Sequence, residues 1–483
     1  MKARISSLFL KDISNWKYWL TIAFISRFIF FILVNHFRQY NSFPGFWGGL
    51  RGDSEGYLIP FENLIRLGSY TPNYRMPGYG VLYYPLLLLF SKAVACNILI
   101  CIQLLLSTLS VYALALIAKK LFKSTTLFYI TFILYTCSIF SSLVDPVLIS
   151  ESLTTSTLIL SVYFLCCYFN NYKAKELIFS GSLLTWTVFL RPVFAPLLLL
   201  FFVLVVIELV RSHKKNLPAL LFLVPFTIAD GSWITSNYIR YKEVIPLTRT
   251  VYFPWIENSY LKPMITFVQS WGGTIWFVNP STEISWFSDN KPCTFKTGAK
   301  SDSVPYPSYI YTSQFNADSL KILKNTIIHF TSDSSHLSAE VKAEYQKAIS
   351  DKFNKYALSE KTENKYCYYI KSNERRLSTM LLNIHTVSKL FINNYISRFT
   401  AGYYAVLLFL GLLGSLLMFP FIFKASLKSI LPIIPLYTIF IHATIIKANE
   451  NRYLIPAWPF LVICAAYTLY WGYGKLFPVK DLS

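Results

Sequence analysis

The stretch "CNILICIQLLLSTLSVYALALIA", residues 96–118, contains no charged side chain and runs straight into "KKLFK", residues 119–123. About 20 apolar residues are what one helix needs to cross a bilayer, and clustered lysines mark the end kept in the cytoplasm. The same pattern of apolar run and basic stop recurs along the chain. Candidate crossings fall at 17–37, 96–118, 124–143, 151–169, 177–190, 193–210, 217–235, 401–423, 429–446 and 453–472. The 177–190 run is short and leads into "LRPVF" (190–194), where Pro192 favours a break. The expectation is an all-α polytopic membrane protein, a helical bundle of about 10 crossings.

Composition agrees, with 54% hydrophobic and 18% aromatic residues over 483 positions. The formal charge of +21 would suggest nucleic acid in a soluble chain. Here the basic residues sit between apolar runs, so the excess reads as topology and contact with anionic lipid. No Gly-rich phosphate loop announces a nucleotide domain. Six of the eight cysteines lie in apolar runs, and the six histidines are scattered, so no metal site of recognisable spacing exists. Cys293 and Cys367 lie in polar sequence, and whether they form a disulfide stays open, with an oxidising compartment as its condition. Arg27 and the lack of a small-residue cleavage site make the N-terminal segment a retained helix rather than a signal peptide.

If every candidate crosses, the basic stretches at the N-terminus, 119–123, 170–175, 211–215 and 424–428 share the cytoplasmic side. The opposite side then receives residues 45–84, 145–151, Arg191, 236–400 and 447–453. This gives an N-terminal transmembrane part (1–235) with a first outer loop at 38–84, an extracytoplasmic domain (236–400), mixed α/β or α, and C-terminal transmembrane helices (401–483). Inside 236–400, Val341, Tyr345, Ile349 and Phe353 repeat at helical spacing, and the run from Arg375 to Phe399 is amphipathic.

The first outer loop holds the densest polar cluster, "GLRGDSEGYLIPFENLIRLGSYTPNYRMPGYGVLYYP" (49–85). A carboxylate at the membrane rim stays hydrated, unlike one at the bilayer centre. Around Asp53 and Glu55, Arg51, Arg66 and Arg75 offer forks suited to phosphate, while Tyr57, Tyr70, Tyr74 and Tyr79 suit the headgroup level or the flank of a sugar. The plainer alternative has the loop simply packing over the bundle, with Asp53 capping a following helix.

The loop resembles the first outer loop of GT-C membrane glycosyltransferases in Asp53 and Tyr57, in the looser "NLIRLG" (63–68), and in Tyr74, Arg75, Pro77, Gly78 and Tyr79. Similar echoes follow in order: "DPVLISES" (145–152), "LRPVF", "WITSNYIRYKEVIPLTRT" (233–250) and "NRYLIPAWP" (451–459). Departures are Ser236-Asn237, where the family often has Arg-Asn, and Gly80, where a second proline is common. The 236–400 domain resembles nothing named.

The resemblance implies transfer of a sugar, with inversion, from a polyprenyl monophosphate donor to an extracytoplasmic hydroxyl on a lipid, glycan or protein. The short cytoplasmic loops support this independently, being too short to house a nucleotide-sugar domain. Asp53 would be the general base. Arg75 would hold the donor phosphate, with Tyr57, Tyr74, Glu55, Arg191 and Arg452 as further substrate contacts. Glu151, then Asp145, are candidates for a second catalytic carboxylate. Glu151 reads equally as favourable charge at a helix start, and Arg191 and Arg452 as side chains reaching headgroups. A divalent metal stays open as a cofactor. The family branch, with no N-x-S/T acceptor in the outer segments, points to a bacterial inner membrane. The rival class is a transporter or flippase of lipid-linked sugars, in which Arg27 and Asp230 would be the deep charges, either functional or paired with each other. A third reading is a membrane anchor that displays 236–400 as a binding module.

Overall fold

A computed structural model describes residues 13, 15–38, 40–71, 75–213, 219–248, 260–272, 310–333, 337–382, 394–447 and 450–476. The chain divides into two compact units, one of 1–250, 384–438 and 452–483, the other of 251–383 and 439–451. Among the described residues there is no β-strand, only isolated bridges at Asn41–Leu50 and Gly49–Val147. The all-α expectation holds, and nothing described in the second unit is α/β.

In the first unit, α1 (Trp16–Arg38) leads through a loop to α2 (Ser54–Leu67) and α3 (Gly80–Leu89). Next come α4 (Lys92–Phe122), α5 (Thr125–Thr136), α6 (Ser150–Asn171), α7 (Ala174–Leu190), α8 (Ala195–Arg211) and α9 (Leu220–Tyr241). Among the described residues, six helical segments are long and apolar enough to cross a membrane: Trp16–Arg38, Lys92–Phe122, Ser150–Asn171, Pro192–Arg211, Ser397–Leu417 and Leu427–Ile446. The other four expected crossings are helical too, but shorter or more polar. α5 runs only 12 residues, and α7 stops after 17, at Arg191 before Pro192, where the sequence places a break.

Hydroxyls and glycines set the packing. α6 and α7 are pinned by Thr157 to Thr187 at 2.8 Å and by Ser161 donating to the Ser180 carbonyl at 2.8 Å. A Cβ on Gly181 would come within 2.2 Å of the Phe222 carbonyl oxygen, so α7 and α9 meet closely only because that position is bare.

The second unit holds α10 (Leu261–Ser270), α11 (Ala317–Asp333), α12 (Ala339–Glu363) and α13 (Ser372–Leu382). Its core gathers Tyr260, Phe267, Trp271, Phe315, Phe330, Phe353 and Tyr356. Of the expected stripe on α12, Ile349 and Phe353 are buried, but Val341 and Tyr345 are exposed. The buried face continues instead through Tyr356, Ala357 and Glu360, one turn further on. Cys293 lies outside the described residues, and with it the Cys293–Cys367 pairing. The chain returns to the first unit with α14 (Asn394–Leu417), α15 (Phe419–Phe423) and α16 (Ile430–Phe440), the last extending past its boundary; α17 (Trp458–Leu476) follows.

Arg27 is fully buried but does not pair with Asp230. Its guanidinium donates to the Tyr135 and Ser138 carbonyls and the Ser141 and Ser142 hydroxyls, tying α1 to the end of α5 and the segment after it. Asp230 accepts from the Leu247 amide at 3.1 Å.

Candidate functional site

Glycines decide where the first loop goes. The Gly49 amide donates to the Pro146 carbonyl at 2.8 Å, and the Leu148 amide donates back to the Gly49 carbonyl at 3.2 Å. A Cβ on Gly48 would lie 2.7 Å from the Pro146 oxygen, and one on Gly49 would lie 2.2 Å from the Tyr40 side chain. The loop after α1 thus docks on the 145–149 turn, which brings the start of α2 beside the start of α6. The Tyr57 hydroxyl then meets the Ser150 hydroxyl at 2.8 Å. A third segment joins at Gly78, whose Cβ would strike the Phe189 backbone at 2.3 Å and whose carbonyl accepts from Trp186 Nε1 at 2.8 Å. Arg75 and the end of α7 are thereby set side by side.

At this junction five side chains form one chain of ion pairs. Arg75 Nη2 lies 2.7 Å from Asp53 Oδ1, and Arg452 Nη1 lies 2.6 Å from Asp53 Oδ2. Arg452 Nε is 3.8 Å from Glu151 Oε1, which also takes Arg191 Nη1 at 3.1 Å. Among the described residues, three guanidiniums facing two carboxylates leave one positive charge in excess in this cluster. Aromatic faces hold the guanidinium planes: Arg75 lies over Tyr57 at 4.1 Å, and Arg191 and Arg452 over Tyr453 at 5.0 and 5.3 Å. The carboxylates differ in access, the Asp53 side chain being 29% exposed and that of Glu151 4%. Burial pushes the Asp53 carboxyl up, but Arg452 and Arg75 outweigh it and hold the group below its ordinary value.

Asp53 occupies the N-cap position of α2 yet makes no side-chain cap bond, so the plain capping alternative fails. Its oxygens go to arginines because the backbone there is helical rather than extended, with φ −76° and ψ −21°. Glu55 sits in the first turn of α2 and is exposed, apart from the cluster. Asp145 is buried and belongs to a separate network. Its oxygens accept from Ser107 at 2.9 Å and Ser152 at 2.7 Å, and burial pushes its carboxyl up against the opposing pull of Arg27 and these hydroxyls. Arg51 lies over Tyr40, and Arg66 leans on Asn63. Tyr74 lies outside the described residues.

Sequence reasoning missed Ser150, and it missed Gln103 of α4. Gln103 accepts from Tyr79 at 2.8 Å and donates to the Asp145 and Val147 carbonyls, holding the 145–149 turn. The available signal was an amide well inside the apolar 96–118 run, whose other amide, Asn97, lies at its very start. Among the described residues no group of three or more His, Cys, Asp or Glu side chains could hold a metal ion. The two cluster carboxylates are already engaged by guanidiniums, a donor set that does not fit a divalent cation.

No protein-family model matches the chain, and no curated protein matches it in sequence. The solved archaeal oligosaccharyltransferase AglB from Archaeoglobus fulgidus, in complex with an inhibitory peptide and a dolichol-phosphate, is similar in structure at a TM-score of 0.46 and 11% identity. The similarity covers 96% of this chain but 51% of that one, so this chain spans about half the length of its structural neighbour.

Proposed function

We propose that the chain is a membrane glycosyltransferase that moves a sugar from a polyprenyl monophosphate donor to an acceptor hydroxyl on the extracytoplasmic side, with inversion. The observation that carries this reading is the five-membered cluster of Arg75, Asp53, Arg452, Glu151 and Arg191. Its single excess positive charge matches the single negative charge of a phosphodiester-linked sugar. Asp53, the more exposed carboxylate, is the general base, a role worth about 10²–10⁴ in rate. Glu151, nearly sealed, holds Arg191 and Arg452 in place for the phosphate. The acceptor oxygen attacks the anomeric carbon opposite the phosphate, its proton passes to Asp53, and the electrons of the breaking bond go to the phosphate under the guanidiniums.

The antiparallel hairpin of α6 and α7 supports the sidedness. Glu151 starts α6 and Arg191 ends α7, whereas the basic 170–175 stretch lies at their other end. By the positive-inside bias that other end is cytoplasmic.

The test is the purified full chain in liposomes with polyprenyl-phosphate-linked sugars and a hydroxyl acceptor. Glycoside formation that disappears in Asp53→Asn is the expected result. Sugar lipid moved between leaflets without any new glycoside would instead make the chain a transporter. Retained turnover in Asp53→Asn would remove the base.

A further inference from the structure

We infer that Arg75 and Arg452 are handed from Asp53 to the leaving phosphate during turnover, so that protonation of the base and departure of the lipid phosphate are one coupled event. The inference rests on the reading above. Its ground is the way Asp53 is held, with each carboxylate oxygen taken by a different arginine, at 2.7 and 2.6 Å. The same two guanidiniums are thus the counter-charge of the base and the nearest cations for a phosphate beside it.

Charge conservation makes the exchange natural. With donor bound, three guanidiniums face Asp53, Glu151 and one phosphodiester anion, three charges of each sign. Transfer forms the bond from the acceptor oxygen to the anomeric carbon and breaks the bond from that carbon to the phosphate oxygen, which keeps the electron pair. The acceptor proton goes to Asp53. The guanidiniums now face Glu151 and a phosphate monoester dianion, again three charges of each sign. The negative charge lost at Asp53 has reappeared on the phosphate, and the arginines need only change partner. Arg452 is built for this, because its Nε lies 3.8 Å from Glu151 while its Nη1 reaches Asp53. Glu151, 4% exposed and paired with Arg191 at 3.1 Å, is the fixed end of the swing. When Asp53 releases its proton to water, it reclaims the arginines and expels the lipid phosphate.

An uncharged residue at position 53 should therefore bind the product better than the native enzyme does, while being unable to turn over. The probe is a short-chain polyprenyl monophosphate titrated into purified full chain near pH 8, where the monoester is a dianion. Asp53→Asn should bind it about tenfold or more tightly than wild type, the scale of a charge-assisted hydrogen bond no longer contested. The double variant Asp53→Asn/Arg452→Gln should lose that gain, with unfolding temperatures checking that each variant is folded. Asp53→Asn binding no tighter than wild type overturns the hand-over and leaves the transferase reading standing. No binding by either protein overturns both.

Discussion

Replacing Arg452 by glutamine strikes the cluster where its two carboxylates are joined, since Arg452 reaches Asp53 at 2.6 Å and Glu151 at 3.8 Å. Two unit charges about 4 Å apart interact by about 4 kcal/mol at the effective dielectric near a protein surface. The Asp53 side chain is 29% exposed, so solvent screening reduces what it loses to about 1–2 kcal/mol. That is roughly a tenfold gain in the proton affinity of its carboxyl. The sign follows from the base role, which needs the ionised form. Activity is present above the Asp53 titration and lost as pH falls through it, and the native arginines hold that titration below its ordinary value. In Arg452→Gln the acid limb of kcat/KM for the lipid-linked donor should therefore begin about one pH unit higher. Any stability that the depressed carboxyl contributes follows the same direction, present above the unfolded value near 3.8 and lost as pH falls through the folded one. The assay is initial-rate glycoside formation across the acid range, beside thermal unfolding of the same preparations. An acid limb that stays where it was, in a variant that unfolds at the native temperature, would refute the coupling of Arg452 to the base.

Gly56→Ala should raise the helix propensity of α2 by about 0.5–1 kcal/mol and still weaken donor use, because the new Cβ would lie 2.6 Å from Arg75 Nε. A raised donor KM with unchanged or higher thermal stability is the expected pair of readings; an unchanged KM would mean that Arg75 does not meet the donor. Asp145→Asn should keep activity within about tenfold, against the 10²–10⁴ loss expected when a general base is removed, since Ser107 and Ser152 can turn their hydroxyls toward an amide. A loss as deep as that of Asp53→Asn would make Asp145 a catalytic group. Gly414→Ala should lower the unfolding temperature, because a Cβ there would lie 2.0 Å from the Cys464 carbonyl oxygen and force α14 and α17 apart, at a cost of about 1–3 kcal/mol. An unfolding temperature equal to wild type would show that the two helices are not so closely seated.

The membrane class was legible because it depends on local composition: a helix such as α4 announces itself by 31 consecutive residues with charges only at its ends. The site was legible in part. Asp53, Tyr57 and Arg75 share one loop, but Arg452 pairs with Asp53 across 399 positions, and no local pattern distinguishes that from an arginine reaching for headgroups. The octapeptide "DPVLISES" shows the limit most sharply. Its two acids, six positions apart, go to different networks, because Asp145 sits on a turn that folds back onto Ser107 while Glu151 opens α6 toward Arg191 and Arg452. Ion pairing is a property of space rather than of order along the chain. Read along the first loop, Arg51, Asp53, Glu55, Arg66 and Arg75 look like one charged patch; in the folded chain only Asp53 and Arg75 of these five join the cluster. The positive excess that suits a phosphodiester arises only when the loop meets the end of α7 and the turn at Asn451–Leu454 before the last helix. A reading of the loop by itself could single out Asp53 but could not count the charges around it.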